Sequence, residues 1–150
     1  MRLYLDSTAL IKRSVEEPES EALEAALDEH VRAGDTLVSS VLAWVEISRA
    51  LRALLDGDRP DEEITEAIAV ALSGIAERSI TGEVIGLARR VLPPRLRTLD
   101  AIHLASAMLL DVDAVVSYDD LLTEACTRNG LATLSPGTHP RPRVSMRRRP

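Results

Sequence analysis

Short apolar runs alternate with helical segments along this chain, and that alternation limits the fold more than any other feature. Leu3-Tyr4-Leu5 is the first run, Thr36–Ser39 the second and Ala114-Val115-Val116-Ser117 the clearest of the later ones. A weaker run lies at Glu77–Ile80 and a last one at Leu131–Leu134. Between them the 3.6-residue apolar period predicts helices. The first follows the opening run at Ala9–Arg13. The second, Glu19–Arg32, carries Ala22, Leu23, Ala26, Leu27 and Val31 on one face and is closed by Gly34. Val41–Leu55 is so apolar that it is expected to be largely buried, and Pro60–Ala76, Gly82–Val91, Thr98–Leu110 and Asp119–Arg128 complete the series. Strands separated by helices pair in parallel through right-handed crossovers. The expected fold is α/β, a three-layer domain with a central parallel sheet of about five strands flanked by helices.

A chain of 150 residues suits one such domain. It is placed at residues 1–135, and residues 136–150 form a separate tail of four prolines and five arginines, too poor in apolar groups to fold alone. Those five arginines are among 18 basic residues. The other 13 face all 24 acids within residues 1–140, a charge of −11. Such a body repels nucleic acid and anionic lipid unless cations neutralise its acids where a substrate sits. Tyr4, Trp44 and Tyr118 are the only aromatics, which excludes a stacking platform for single strands. One cysteine, Cys126, excludes an internal disulfide and reads as a core residue. No apolar run reaches the ~18 residues of a membrane span, and the charged start Met1–Asp6 does not resemble a signal peptide. No membrane partner is expected, and the cytoplasm is the expected compartment.

Four acids stand where chemistry can gather. Asp6 closes the first strand, and ligands of open parallel sheets bind beyond the carboxyl ends of the strands. Asp6, Ser7 or Thr8 would equally cap the helix that follows. Glu46 lies in the apolar helix on the face of Ser39, Ala43, Ala50 and Ala53, small residues that permit close approach. As a surface acid it would instead pair with Arg49 or Arg52. Asp100 occupies the first turn of its helix, a position that the dipole favours by itself. Asp119 follows the late strand, and either it or Asp120 can cap the next helix. Four carboxylates brought together raise one another's pKa unless a hard divalent cation neutralises them. An all-oxygen set suits Mg²⁺, or Mn²⁺, rather than zinc. The three histidines form no zinc pattern: His30 and His139 read as surface or tail residues, and His103 as a packed helix residue rather than a general base.

Tyr4-Leu5-Asp6-Ser7-Thr8-Ala9-Leu10, Trp44-Val45-Glu46, Arg97-Thr98-Leu99-Asp100-Ala101-Ile102-His103-Leu104-Ala105 and Ser117-Tyr118-Asp119 together resemble the PIN-domain endoribonucleases. Within that family they resemble the toxin subunits of VapBC toxin–antitoxin pairs. The likeness covers about residues 1–135, and its third motif is the most specific. It implies a Mg²⁺-dependent cut in RNA with Asp6, Glu46, Asp100 and Asp119 as the acidic quartet, and Ser117 matches the family's supporting hydroxyl. Thr8 and Arg97 stand beside the acids as further supporting residues, Arg97 to contact a phosphate or to support an acid. One or two metal ions can neutralise a phosphodiester, activate a water and stabilise the leaving oxygen. Asp6 and Asp100 are assigned to the principal metal, Glu46 to that metal or to the attacking water, and Asp119 to a second metal position. Hydrolysis would leave a 5′-phosphate and a 3′-hydroxyl. The implied partners are an RNA substrate, a cognate antitoxin and a second copy in a homodimer, with the apolar stretch 41–76 open to either protein.

Other classes fit less well. A phosphoacceptor receiver domain wants adjacent acids after the first strand and a late lysine, whereas Lys12 is the only lysine. A haloacid-dehalogenase-like phosphatase wants an aspartate where Thr8 stands, and Ser7-Thr8-Ala9 is not the Gly-rich turn of a dinucleotide enzyme. The standing alternative is a non-catalytic module whose acidic crevice captures an arginine-bearing partner.

Overall fold

The computed structural model describes residues 1–55 and 60–138. Among them are five strands and seven helices: β1 (Arg2–Leu5), α1 (Ser7–Ile11), α2 (Ser20–Arg32), β2 (Thr36–Ser40), α3 (Val41–Leu55), α4 (Asp61–Leu72), β3 (Ala76–Arg78), α5 (Gly82–Ala88), α6 (Thr98–Leu109), β4 (Ala114–Val116), α7 (Asp120–Arg128) and β5 (Ala132–Leu134). The strands form one parallel sheet in the order β3-β2-β1-β4-β5. The chain builds outward from β1 in one direction through β2 and β3, then returns to β1's other edge for β4 and β5. That reversal puts a topological switch point between β1 and β4, where parallel sheets open a crevice at their carboxyl ends.

Side-chain alternation sorts the core into two halves. Leu3, Leu5, Leu37, Ala114 and Val116 pack with Ala9, Leu10, Leu23, Leu27, Ala43, Ile47 and Leu51 from α1, α2 and α3. Tyr4, Val38 and Val115, one residue out of phase, pack with Leu104, Ala107, Leu122, Ala125 and Cys126 from α6 and α7. The three layers expected from the sequence are therefore present, with α1–α4 against one face and α5–α7 against the other. Cys126 is a free, buried thiol that burial pushes up to about 12, as suits a core residue. Gly34 and Gly130 follow α2 and α7 with φ of 84° and 81°, a left-handed stop that a side chain resists.

Several expectations need correction. α3 is not largely buried: only Ala43, Ile47 and Leu51, spaced by four, are buried, with Trp44 packed beside them, while Val45 and Leu54 are 55% and 61% exposed. A single helix on a sheet face buries one stripe, however apolar its remaining residues. The third strand begins at Ala76, within the stretch read as the end of a helix, because α4 stops at Leu72 and Gly74 turns the chain at φ 73°. Pro136 and Gly137, the first residues of the expected tail, touch the body. Tyr118 Oη donates to the Pro136 carbonyl at 2.8 Å, and Gly137 lies so close to α2 that an added Cβ would stand 2.9 Å from that of Ala22. The rest of the tail, with His139, lies outside the described residues.

Candidate nuclease site at the carboxyl ends of the sheet

β1 delivers Asp6 into the interior, 2% exposed, and its N–H continues the ladder to the Val116 carbonyl at 3.2 Å. Its carboxylate is saturated with donors. Oδ1 accepts the Ala9 N–H at 2.9 Å, capping α1. Thr8 Oγ1 shares its hydrogen between Oδ1 at 2.7 Å and Oδ2 at 2.9 Å, and Ser117 Oγ donates to Oδ2 at 2.6 Å. Burial raises the Asp6 carboxyl above its ordinary pKa, while the Ser117, Ala9 and Thr8 donors pull it back. The two hydroxyls also tie β1 to the loop after β4: Thr8 Oγ1 accepts the Tyr118 N–H at 2.9 Å and Ser117 Oγ accepts the Asp119 N–H at 3.1 Å.

Above this floor opens a cleft of about 510 Å³ lined by Ser7, Thr8, Glu46, Arg97, Thr98, Leu99, Asp100 and Asp119. Three of the four acids identified in the sequence thus share one cleft, and the fourth, Asp6, sits behind Thr8. Asp119 Oδ1 caps α7 by accepting the Leu122 N–H at 2.9 Å, which assigns the cap to Asp119 rather than Asp120. Asp119 Oδ2 meets Arg97 Nη2, and Arg97 Nε donates to Asp100 Oδ2 at 2.7 Å. The two acids hold the Arg97 guanidinium above its ordinary pKa, Asp100 most strongly. Glu46 pairs with neither Arg49 nor Arg52, since Arg52 lies 3.5 Å from Asp61. Its Oε2 is 2.6 Å from His103 Nε2, and His103 Nδ1 is 2.7 Å from Tyr4 Oη. His103, 1% exposed, is packed as expected, but its polar link to Glu46 and Tyr4 is invisible in sequence because Tyr4 is 99 positions away. The available signal was its i+3 spacing from Asp100, which puts both on one side of α6.

The donor chemistry of Asp6, Glu46, Asp100 and Asp119, all carboxylate oxygen, fits a hard divalent cation. Their side-chain placement is that of a cleft balanced by protein groups. Arg97 bridges two of the acids and His103 engages a third. Among the described residues no three His, Cys, Asp or Glu side chains stand grouped to hold one ion.

The PIN domain family's sequence profile matches residues 3–127. The chain belongs to the PIN domain family. Among its relatives is ribonuclease VapC46 of Mycobacterium tuberculosis, 40% identical over 136 residues that span 89% of this chain and 97% of the relative. Two solved PIN-like structures share the fold. VapBC2 from Rickettsia felis, bound to a DNA fragment from its promoter, aligns with a TM-score of 0.69 at 11% identity, over 89% of this chain and 98% of that one. VapC20 of Mycobacterium tuberculosis, described as a toxin that cleaves the sarcin-ricin loop, aligns at 0.65 and 12% identity over 89% and 99%. Within this PIN domain the motif residues fall at the carboxyl end of the sheet. No helix among the described residues is long and apolar enough to cross a membrane.

Proposed function

We propose that this PIN domain is a metal-dependent endoribonuclease acting as the toxin of a toxin–antitoxin pair in the cytoplasm. The observation that carries the reading is the convergence of Glu46, Asp100 and Asp119 on one cleft above buried Asp6, in a chain related along nearly its whole length to a VapC ribonuclease. Mg²⁺ or Mn²⁺, when bound, would supply charge neutralisation at the phosphate and a more acidic water. Asp6 and Asp100 would be its principal holders, and Asp119 would serve a second position. Glu46 lies where a carboxylate can hold that cation or orient the attacking water. Arg97, 64% exposed, would exchange its carboxylates for an RNA phosphate, which accepts a guanidinium in the same two-pronged geometry. Thr8 and Ser117 fix Asp6 so that its charge stays in place during turnover. The exposed apolar side chains Val45, Leu54 and Val70 on α3 and α4 would be available to an antitoxin or to a second copy.

Purified protein should cleave RNA only with added Mg²⁺ or Mn²⁺, leaving 5′-phosphate ends, and Asp6→Asn or Asp100→Asn should abolish cleavage. One observation favours the rival, a module that binds an arginine-bearing partner: the cleft already accepts a guanidinium, that of Arg97. Full retention of partner binding by a protein that cleaves no RNA under any divalent cation would decide for the rival.

A further inference from the structure

Glu46, like Asp100, has no backbone N–H to orient its carboxylate, and it sits inside α3 rather than at a helix start. What holds it is a buried line of side chains that begins on the central strand. Tyr4, fully buried on β1, accepts the Ser40 N–H on its phenol oxygen at 3.2 Å. His103 Nδ1 stands 2.7 Å from the same oxygen, and the rings meet edge to face at 5.8 Å and 73°. His103 Nε2 reaches Glu46 Oε2 at 2.6 Å. A phenol hydrogen directed at Nδ1, with the Ser40 N–H on the phenol oxygen, satisfies both groups. A neutral imidazole that accepts at Nδ1 carries its hydrogen at Nε2, where it donates to the carboxylate.

We propose that Tyr4 and His103 are positioning residues: Tyr4 fixes the Nε2–H tautomer of His103, and that N–H aims the Glu46 carboxylate into the cleft. Neither reaches substrate, for both are enclosed in the core. The arrangement is that of an outer partner orienting an inner ligand, whose loss characteristically costs about 10- to 100-fold in metal affinity or activity. The inference rests on the reading of Glu46 as a working acid of the cleft.

The test uses the full chain in four forms, parent, Tyr4→Phe, Glu46→Gln and the double variant. Each is assayed on a randomised, fluorophore-quenched RNA pool and titrated with MnCl₂ by calorimetry. The His103 tautomer is read from ¹⁵N ring shifts. Tyr4→Phe is expected to lower kcat about tenfold with KM nearly unchanged and to weaken Mn²⁺ binding to a similar degree. It should add nothing in the Glu46→Gln background, because residues acting through one group are not additive. The parent should show Nε2–H and Tyr4→Phe a mixture. Additive losses, or an Nδ1–H tautomer in the parent, overturn the proposal. Full activity of Glu46→Gln would sink the reading of Glu46 itself, and the ring shifts would still report the relay. If Tyr4→Phe does not fold, His103→Gln, which keeps an N–H toward Glu46, should retain more activity than His103→Leu, and equal losses overturn the inference.

Discussion

Ser117→Ala isolates the groups that make a buried carboxylate tolerable. Ser117 is fully buried and acts twice, donating to Asp6 Oδ2 at 2.6 Å and accepting the Asp119 N–H at 3.1 Å. Losing a hydrogen bond to a charged group costs about 1.5–3 kcal/mol, and leaving the half-buried Asp119 N–H without its partner adds to it, for a total of about 2–4 kcal/mol at neutral pH. In a domain of this size that lowers the Tm by roughly 5–15 °C. The sign of the pH dependence follows from Asp6. Burial raises its native pKa above the ordinary value of 3.8, so the native state holds the proton more tightly than the unfolded chain. Asp6 therefore contributes most below the unfolded pKa, and that stability is lost as pH rises through the native value. Ser117 opposes the rise, so its removal pushes the carboxyl further up and makes the decline steeper. Urea unfolding in EDTA, between about pH 4 and 8, should show a small cost in acid growing toward neutrality. A cost that is constant across this range, or below about 0.5 kcal/mol at neutral pH, would refute the picture of an ionised Asp6 held by donors.

Two further expectations concern the cations that balance the cleft. Arg97→Ala should change metal-free stability by no more than about 1 kcal/mol, because the guanidinium is largely exposed and such pairs are weak. Mn²⁺ should then bind up to about tenfold more tightly for want of a competitor, seen as an extra ~1.4 kcal/mol of stabilisation at saturating cation, while RNA cleavage falls. Unchanged Mn²⁺ affinity and unchanged cleavage would remove Arg97 from the site. Asp100→Asn should be as stable as the parent in EDTA, within about 0.5 kcal/mol, since Arg97 keeps Asp119 as partner. It should lose most of the Mg²⁺-induced rise in Tm, and a clear loss of stability in EDTA would make Asp100 a structural acid.

What the sequence disclosed depended on how local the causes were. Alternating runs, Gly34 and Gly130 are local signals, and the parallel sheet and helix ends followed from them. The acids were legible because strand ends and helix starts are, and their gathering follows from topology. Failures came where a partner was distant or a surface had to be counted. The apolar content of α3 does not say that only Ala43, Ile47 and Leu51 become buried. His103 is the packed residue the sequence suggested, but its polar link to Tyr4 and Glu46 was not legible because those partners come from other elements. The contacts of Pro136 and Gly137 with Tyr118 and Ala22 are likewise beyond a composition that shows only few apolar groups in residues 136–150.

Capping and chemistry, offered in the sequence as rival roles for Asp6 and Asp119, are two ends of one carboxylate. Each spends Oδ1 on a helix N–H, from Ala9 or Leu122, and turns Oδ2 toward Ser117 or Arg97. A backbone N–H cannot rotate away, so the cap fixes the carboxylate plane and aims the second oxygen with no side-chain entropy left to lose. Glu46 lacks that anchor and takes its orientation from His103 and Tyr4. Asp100 has only Arg97, itself exposed. The quartet therefore grades from rigid to adjustable: Asp6 is fixed on all sides, Asp119 at one oxygen, Glu46 through a buried relay, and Asp100 by one exposed guanidinium. If the cleft admits RNA and a cation as proposed, it rearranges first at its loosest member, which puts the movement on Arg97 and Asp100 and leaves the floor at Asp6 unmoved.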